Sequence, residues 1–258
     1  MAKLVWVDDG EVPKYQNVLA YVGSAPSCRV LPPGATYFTE DQTLALKQRI
    51  ESYFDEVIES IPLYGLVLTG GKSTRMGLDK AALDYHGRPQ VRHCFDLLSA
   101  LCDKVFVSLR SEQSGEATYR DFPQIHDTFL GYGPLGGILS AQKAHPHAAW
   151  LVLACDLPAV TPDTLEYLCA ERNPFKLATA YTSANDGFPE PLCAIYEPKS
   201  IFRLMSFLAL GYHCPRKVLI NSDTWLIRLP DVHALDNANS PDEREALLES
   251  ISKHAGTP

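Results

Sequence analysis

No stretch of the 258-residue chain reaches 18 consecutive apolar residues, which excludes a conventional membrane-spanning helix. The opening residues, MAKLVWVDDGEVPKYQ, have no apolar segment of the signal-peptide kind after their first charge, so a cytosolic setting with no membrane partner is expected. The seven cysteines show no C-x-x-C spacing, which argues against a disulfide framework or a structural zinc site. Most are expected to be small buried apolar residues. Positive charge is in deficit, with 23 Lys and Arg against 31 Asp and Glu and a formal net charge of −8. Nucleic acid held by bulk charge is therefore not expected, and an anionic ligand has to be gathered by a local pocket. There is no internal repeat, no low-complexity segment, and no Ser-His-Asp or Cys-His arrangement. His126 and His213 are expected to be structural or surface residues.

From Leu63 onward, short apolar runs alternate with helical patterns, the signature of a mostly parallel sheet with helices on both faces. Strands are expected at Leu63–Thr69, Lys104–Leu109, Trp150–Cys155, Leu177–Tyr181, Leu192–Tyr196 and Trp225–Leu229. Helices are expected at Pro89–Leu101, Gly136–Lys143, Pro162–Ala170, Lys199–Leu208 and Pro241–Ser252. In such sheets ligands bind at the carboxyl ends of the strands, near the point where strand order reverses, so the loops after Thr69 and Cys155 are where chemistry is expected. Residues 1–62 read as an extension of unknown role. Within it, Thr39 and Gln42 form a candidate capping box ahead of a helix whose stripe is Leu46, Ile50, Phe54, Val57 and Ile61, ended by Pro62. That helix is expected to pack on the domain formed by residues 63–258.

The stretch LTGGKSTRMGLDK ends like a P-loop, but Leu66 stands where the first glycine of that motif is required. It is a phosphate loop of another kind. Gly70, Gly71 and Gly77 let backbone N–H groups approach an anion, and Arg75 and Lys80 add positive charge; Lys72 reads as a solvated lysine. In WLVLACDLPAV an unbroken apolar strand delivers Asp156 to the sheet's carboxyl end. Thr161 ahead of Pro162 is the better cap for the following helix, which leaves Asp156 as a ligand for Mg²⁺. In HDTFLGYGPLGGI, Gly133, Gly136 and Gly137 bracket a loop-to-helix junction. There a flat base is expected to lie against bare backbone, with Asp127 as the nearest acid for a base or ribose contact.

LTGGKSTRMGLDK resembles the nucleotidyltransferase signature L-x-G-G-x-S-x-R-M-G-x-D-K. GPLGGI, ACDLP, PEPLCAIY and NANSPDE follow in the order and at about the spacings of the molybdenum cofactor guanylyltransferase family. The resemblance covers roughly residues 63–250. It implies a Rossmann-like three-layer α/β fold and Mg²⁺-dependent transfer of GMP from GTP to the phosphate of molybdopterin or molybdenum cofactor, with release of pyrophosphate. It also implies other cofactor-biosynthesis proteins as candidate partners. By motif, Leu68, Thr69 and Gly70 touch the guanine nucleotide, Lys80 its phosphates, Asp127 the nucleoside and Asp156 the metal. Gly71, Gly136 and Arg75 complete the expected site. The family's usual Asn-Thr-Pro-Glu-Asp stands here as Asn239-Ser240-Pro241-Asp242-Glu243, which keeps a cap-then-Pro helix start. The extra sixty or so N-terminal residues have no counterpart in the family's usual pattern.

Two rival readings stay open on sequence grounds. One is the same fold with another substrate, as in a molybdenum cofactor cytidylyltransferase or a sugar-phosphate nucleotidyltransferase. Cytidylyl relatives tend to carry Ala-Ala-Gly where this chain has Thr69-Gly70-Gly71. The other is a nucleotide-binding regulatory module without catalysis, against which Lys80 and Asp156 speak. The acceptor pocket has no recognisable code; Pro189–Leu192 and Arg216–Lys217 are its candidates.

Overall fold

The structure is a computed structural model that describes residues 3–7, 15–24, 32, 34–69, 80–184, 186–237 and 247. It divides into two compact units, Met1–Ile61 and Pro62–Pro258.

The first unit contains strands β1 (Lys3–Trp6), β2 (Val18–Gly23) and β3 (Tyr37–Thr39), paired in that order and all parallel, followed by helix α1 (Thr43–Ser60). Val5, Val7 and Tyr21 are buried together, with Val18, Ala35 and Tyr37 packed against them. The helix begins later than its sequence pattern suggests. Only half of the expected capping box forms: the Gln42 side-chain oxygen accepts from the Thr39 N–H at 3.0 Å, while no side chain caps the first turn of α1. The three strands are additions to the sequence reading. Each is six residues or shorter, and their pairing is set by neighbours rather than by a long alternating pattern.

The second unit runs β4 (Leu63–Leu68), a 3₁₀ turn at Lys80–Ala82, α2 (Gln90–Ser99), β5 (Lys104–Leu109), β6 (Gln124–His126), α3 (Pro134–Ala144), β7 (Ala149–Ala154), α4 (Pro162–Ala170), β8 (Ala178–Thr182), β9 (Pro189–Tyr196), α5 (Ser200–Ala209), α6 (Pro215–Ile220) and β10 (Thr224–Arg228). Its seven strands lie in the order β10-β8-β9-β7-β4-β5-β6. All neighbours pair in parallel except β9, which is antiparallel to both β7 and β8. The mixed α/β, mostly parallel architecture expected from the sequence is what forms. The helix expected at Pro241–Ser252 lies outside the described residues apart from Leu247.

The central strands are apolar on both faces because both are covered. On one side Leu66, Trp150, Val152 and Tyr196 pack with Leu135, Ile138 and Leu139 of α3 and with Leu204, Phe207 and Val218 of α5 and α6. Against the other face lies α2, where Leu98 packs so closely that a Cβ on Gly65 of β4 would meet its Cβ at 3.0 Å. Thr161 caps α4 by accepting from the Thr164 N–H at 3.3 Å, with Pro162 as the first helical residue. The end of α4 is tied to the end of β9 by a fork: Arg172 Nε and Nη2 donate to the two carboxylate oxygens of Glu197 at 2.8 and 3.0 Å. Both side chains are nearly sealed, 10% and 1% exposed. Cys94, Cys155 and Cys193 are buried, Cys102 and Cys169 half-buried and Cys214 exposed, all as free thiols. Among the described residues no helix is long and apolar enough to cross a membrane.

Candidate functional site

Strand order reverses at β4: the chain moves from β4 outward to β5 and β6, then returns to β7 on the other side. The carboxyl ends of β4 and β7 therefore lie side by side. The Cys155 N–H donates to the Leu68 carbonyl at 3.0 Å, which continues their ladder one residue past the strands and fixes where Asp156 emerges. Lys80, from the 3₁₀ turn, brings Nζ to 3.9 Å from Asp156 Oδ2. Oδ1 of Asp156 is buried and has no hydrogen-bond partner among the described residues. Burial pushes the Asp156 carboxyl above its ordinary range, and the Lys80 charge opposes that rise.

An orphaned carboxylate oxygen in a partly buried position suits a hard divalent cation. Among the described residues no cluster of three or more metal-ligating side chains exists. Mg²⁺ takes one or two carboxylates and fills its remaining positions with phosphate oxygens and water, so Asp156 is the described side chain that would anchor it.

On one side of Asp156, the ends of β4, β5 and β6 and the start of α3 enclose a cavity of about 370 Å³, lined among others by Leu68, Thr69, Ser108, Arg110, Asp127 and Gly137. Thr69 is buried and its hydroxyl donates to the Ser108 carbonyl at 2.9 Å. Asp127 is positioned by its own N–H, which donates to the Leu109 carbonyl at 3.0 Å. Its Oδ1 accepts from the Ser108 hydroxyl at 2.7 Å. Burial raises the Asp127 pKa, while the Ser108 hydrogen bond and the charge of Arg110 oppose the rise.

The glycines of GPLGGI have a different use from the one expected. A Cβ on Gly136 would meet the Phe129 carbonyl oxygen at 2.3 Å, and one on Gly137 would meet the Ser108 hydroxyl at 2.6 Å. Their N–H groups donate to the Gly133 carbonyl at 3.0 and 3.4 Å. The absent side chains let α3 close on the loop that carries Asp127, and both N–H groups are consumed in the first turn. They are not free to read a base edge.

On the other side of Asp156, a smaller cavity of about 160 Å³ is lined by Ser183, Asp186, Glu190, Arg216, Asp236 and Asn237, among others. Arg216 donates to Asp186 Oδ2 at 2.9 Å and to Glu190 Oε2 at 2.7 Å. Burial raises the Glu190 pKa, Arg216 opposes this, and the Asp156 carboxylate adds to it.

Of the residues expected from sequence, Leu68, Thr69 and Asp127 line the larger cavity, Lys80 and Asp156 meet beside it, and Gly136 stands behind its wall. Gly70, Gly71 and Arg75 lie outside the described residues. His126 is exposed and bonded to Gln124, and His213 is exposed with its ring edge-on to Tyr132. Glu190 and Arg216, which line the smaller cavity, fall within the stretches expected for the acceptor pocket; sequence reasoning missed Ser108, Arg110 and Asp186 as cavity residues. Polar residues ending or beginning otherwise apolar strands were the available signal.

The description "MobA-like NTP transferase domain" matches residues 65–224, more than half of the chain. A molybdenum cofactor biosynthesis bifunctional protein of Synechocystis sp. is 39% identical over 186 residues, covering 72% of this chain and 54% of that protein. A molybdenum cofactor guanylyltransferase of Pseudomonas putida is 29% identical over 184 residues, covering 69% of this chain and 93% of the relative. Among solved structures, molybdopterin-guanine dinucleotide biosynthesis protein A of Archaeoglobus fulgidus superposes with a TM-score of 0.62 at 23% identity, covering 74% of this chain and 99% of that one, a likeness of fold.

Proposed function

Because this chain belongs to the MobA-like NTP transferase family, a family of nucleotidyltransferases, we propose that it transfers GMP from GTP to the phosphate of molybdopterin or molybdenum cofactor, in the cytosol and with Mg²⁺. The observation that carries this reading is the order of the site along the sheet. A base-sized cavity lies on one side of Asp156 and Lys80, and a cavity holding Arg216 lies on the other. The names of the relatives in Synechocystis and Pseudomonas support the choice of acceptor.

In this reading the base and ribose occupy the larger cavity and the triphosphate runs over the end of β4 toward Lys80. The acceptor enters from the Arg216 side. An ionised phosphate oxygen of the acceptor attacks the α-phosphorus in line; the bond from the α-phosphorus to the bridging oxygen breaks, and pyrophosphate leaves with that electron pair. The nucleophile is already ionised at neutral pH, so no general base is needed. The protein's task is positioning and charge neutralisation. Lys80 neutralises charge on the triphosphate and on the leaving group. Asp156 would hold Mg²⁺ through Oδ1, and the ion, when bound, supplies further neutralisation of the phosphates. Arg75 and the Gly70–Gly71 backbone enter as phosphate contacts on sequence grounds.

The test is pyrophosphate release with GTP, CTP or ATP at equal concentration, with Mg²⁺ and a molybdopterin-containing acceptor. GTP should be preferred by at least about tenfold in kcat/KM. Equal use of CTP would overturn the guanylyl reading and leave nucleotidyl transfer standing; no release with any nucleotide would overturn both.

A further inference from the structure

The side chains of the larger cavity divide into those already engaged and those left to meet a ligand. The Thr69 hydroxyl is committed to the Ser108 carbonyl, and the Ser108 hydroxyl to Asp127. The N–H groups of Gly136 and Gly137 are committed to the helix turn. Leu68, Leu109, Phe129 and Pro134 supply apolar walls suited to a flat ring. Among the cavity-lining side chains, Arg110 alone is cationic.

Arg110, just past the end of β5, is tied back to the turn that follows it. A single side-chain oxygen, Oε1 of Gln113, accepts from both the Arg110 backbone N–H at 3.2 Å and its Nε at 3.3 Å. That clamp fixes the root and the near edge of the guanidinium together. The Nη1 and Nη2 groups have no hydrogen bond among the described residues, so the far edge keeps two parallel donors.

Two parallel donors match two adjacent acceptors, which guanine offers as N7 and O6 and an unpaired cytosine as O2 and N3. Adenine presents N7 beside an amine, which would set donor against donor. Between guanine and cytosine the choice follows the guanylyl reading. The N–H groups of Gly136 and Gly137 are already engaged, which leaves Arg110 as the free cationic donor among the described cavity-lining side chains.

We propose that Arg110, clamped by Gln113, reads the N7–O6 edge of guanine and is a specificity-determining residue of the nucleotide site. This rests on the guanylyl reading above. The consequence is that the enzyme is sensitive to a single atom of the base that plays no part in the chemistry.

The experiment measures calorimetric binding and kcat/KM for GTP, CTP and 7-deaza-GTP, in which N7 is replaced by a carbon that accepts no hydrogen bond. The parent protein, Arg110→Gln and Arg110→Lys are compared in Mg²⁺ buffer. The parent should favour GTP over 7-deaza-GTP by about tenfold or more. Arg110→Gln should bind GTP more weakly and bring that ratio close to one. Arg110→Lys keeps the positive charge near Asp127 but lacks the planar fork, and should show a ratio well below the parent's. Equal binding of GTP and 7-deaza-GTP by the parent, with CTP still disfavoured, would overturn the Arg110 assignment alone. A variant that weakens both nucleotides equally and keeps the parent's ratio would do the same. Equal binding of CTP and GTP by the parent would overturn the guanylyl reading, and the assignment with it.

Discussion

The hydroxyl of Ser108 donates to Oδ1 of Asp127 at 2.7 Å, joining the ends of two neighbouring strands whose residues lie 19 positions apart in the chain. This bond holds the Asp127 pKa down against burial. Removing it in Ser108→Ala should raise that pKa further. Any contact that needs the carboxylate is present above the Asp127 pKa and is lost as pH falls through it. The variant should therefore lose GTP affinity at a higher pH than the parent, and at neutral pH bind about tenfold more weakly. Titration of the GTP dissociation constant from acid to neutral pH reads both effects; superimposed pH profiles would show that Asp127 does not meet the nucleotide as a carboxylate.

Asp156→Asn should lower Mg²⁺-dependent turnover by about a hundredfold or more while raising thermal stability at neutral pH. The sign follows from burial. A carboxyl whose pKa is raised in the folded protein favours folding fully below its unfolded pKa, and that benefit is lost as pH rises through the folded value. At neutral pH the charged form is a liability, and a neutral amide of the same size removes it. Thermal melts at neutral pH and at pH 4 should therefore differ between parent and variant more at neutral pH. Full turnover by the variant would remove Asp156 from the metal site.

Gly136→Ala should destabilise the fold by about 1–3 kcal/mol, because the new Cβ would sit 2.3 Å from a backbone oxygen that cannot rotate away. Gly115→Ala, where a Cβ meets nothing within 4 Å, is the matched control and should stay within about 0.5 kcal/mol. Denaturant melts of the two variants separate a packing requirement from a general intolerance of substitution.

Glu197→Ala should cost about 3 kcal/mol or more, since it strips Arg172 of its carboxylate in a place where that side chain is 10% exposed. Chemical denaturation is the measurement. Because the pair lies in the tie between α4 and β9, nucleotide affinity of the folded variant should be unchanged.

The legible parts of the fold were those governed by local pattern. Unbroken apolar runs between turn residues marked β4, β5 and β7, and Thr161-Pro162 marked the start of α4. The reversal of β9 was not legible, because a strand buried along almost its whole length reads the same in either direction. Strand β6, three residues long, is too short for any period, and α6, six residues long, is barely more than a turn. At the site, Lys80 and Asp156 were readable because their chemistry is carried by their own motifs. Ser108 and Arg110 were not, since Ser108 acquires its surroundings from Asp127 beyond the neighbouring strand and Arg110 from Gln113 in the turn that follows it.

The two cavities draw on separate lengths of chain. The larger takes its lining from residues between Leu68 and Gly137, and the smaller from residues between Ser183 and Asn237. Because β9 runs backwards, it presents its beginning, with Glu190, to the smaller cavity, whose lining all follows Asp156 in the chain. A single recombination point in the coding sequence between Asp156 and Ala178 would thus divide the chain that lines one cavity from the chain that lines the other. Under the proposed assignment of nucleotide to the larger cavity and acceptor to the smaller, a crossover there should re-pair the two specificities wherever the core shared by Leu135, Leu139, Leu204 and Phe207 stays matched.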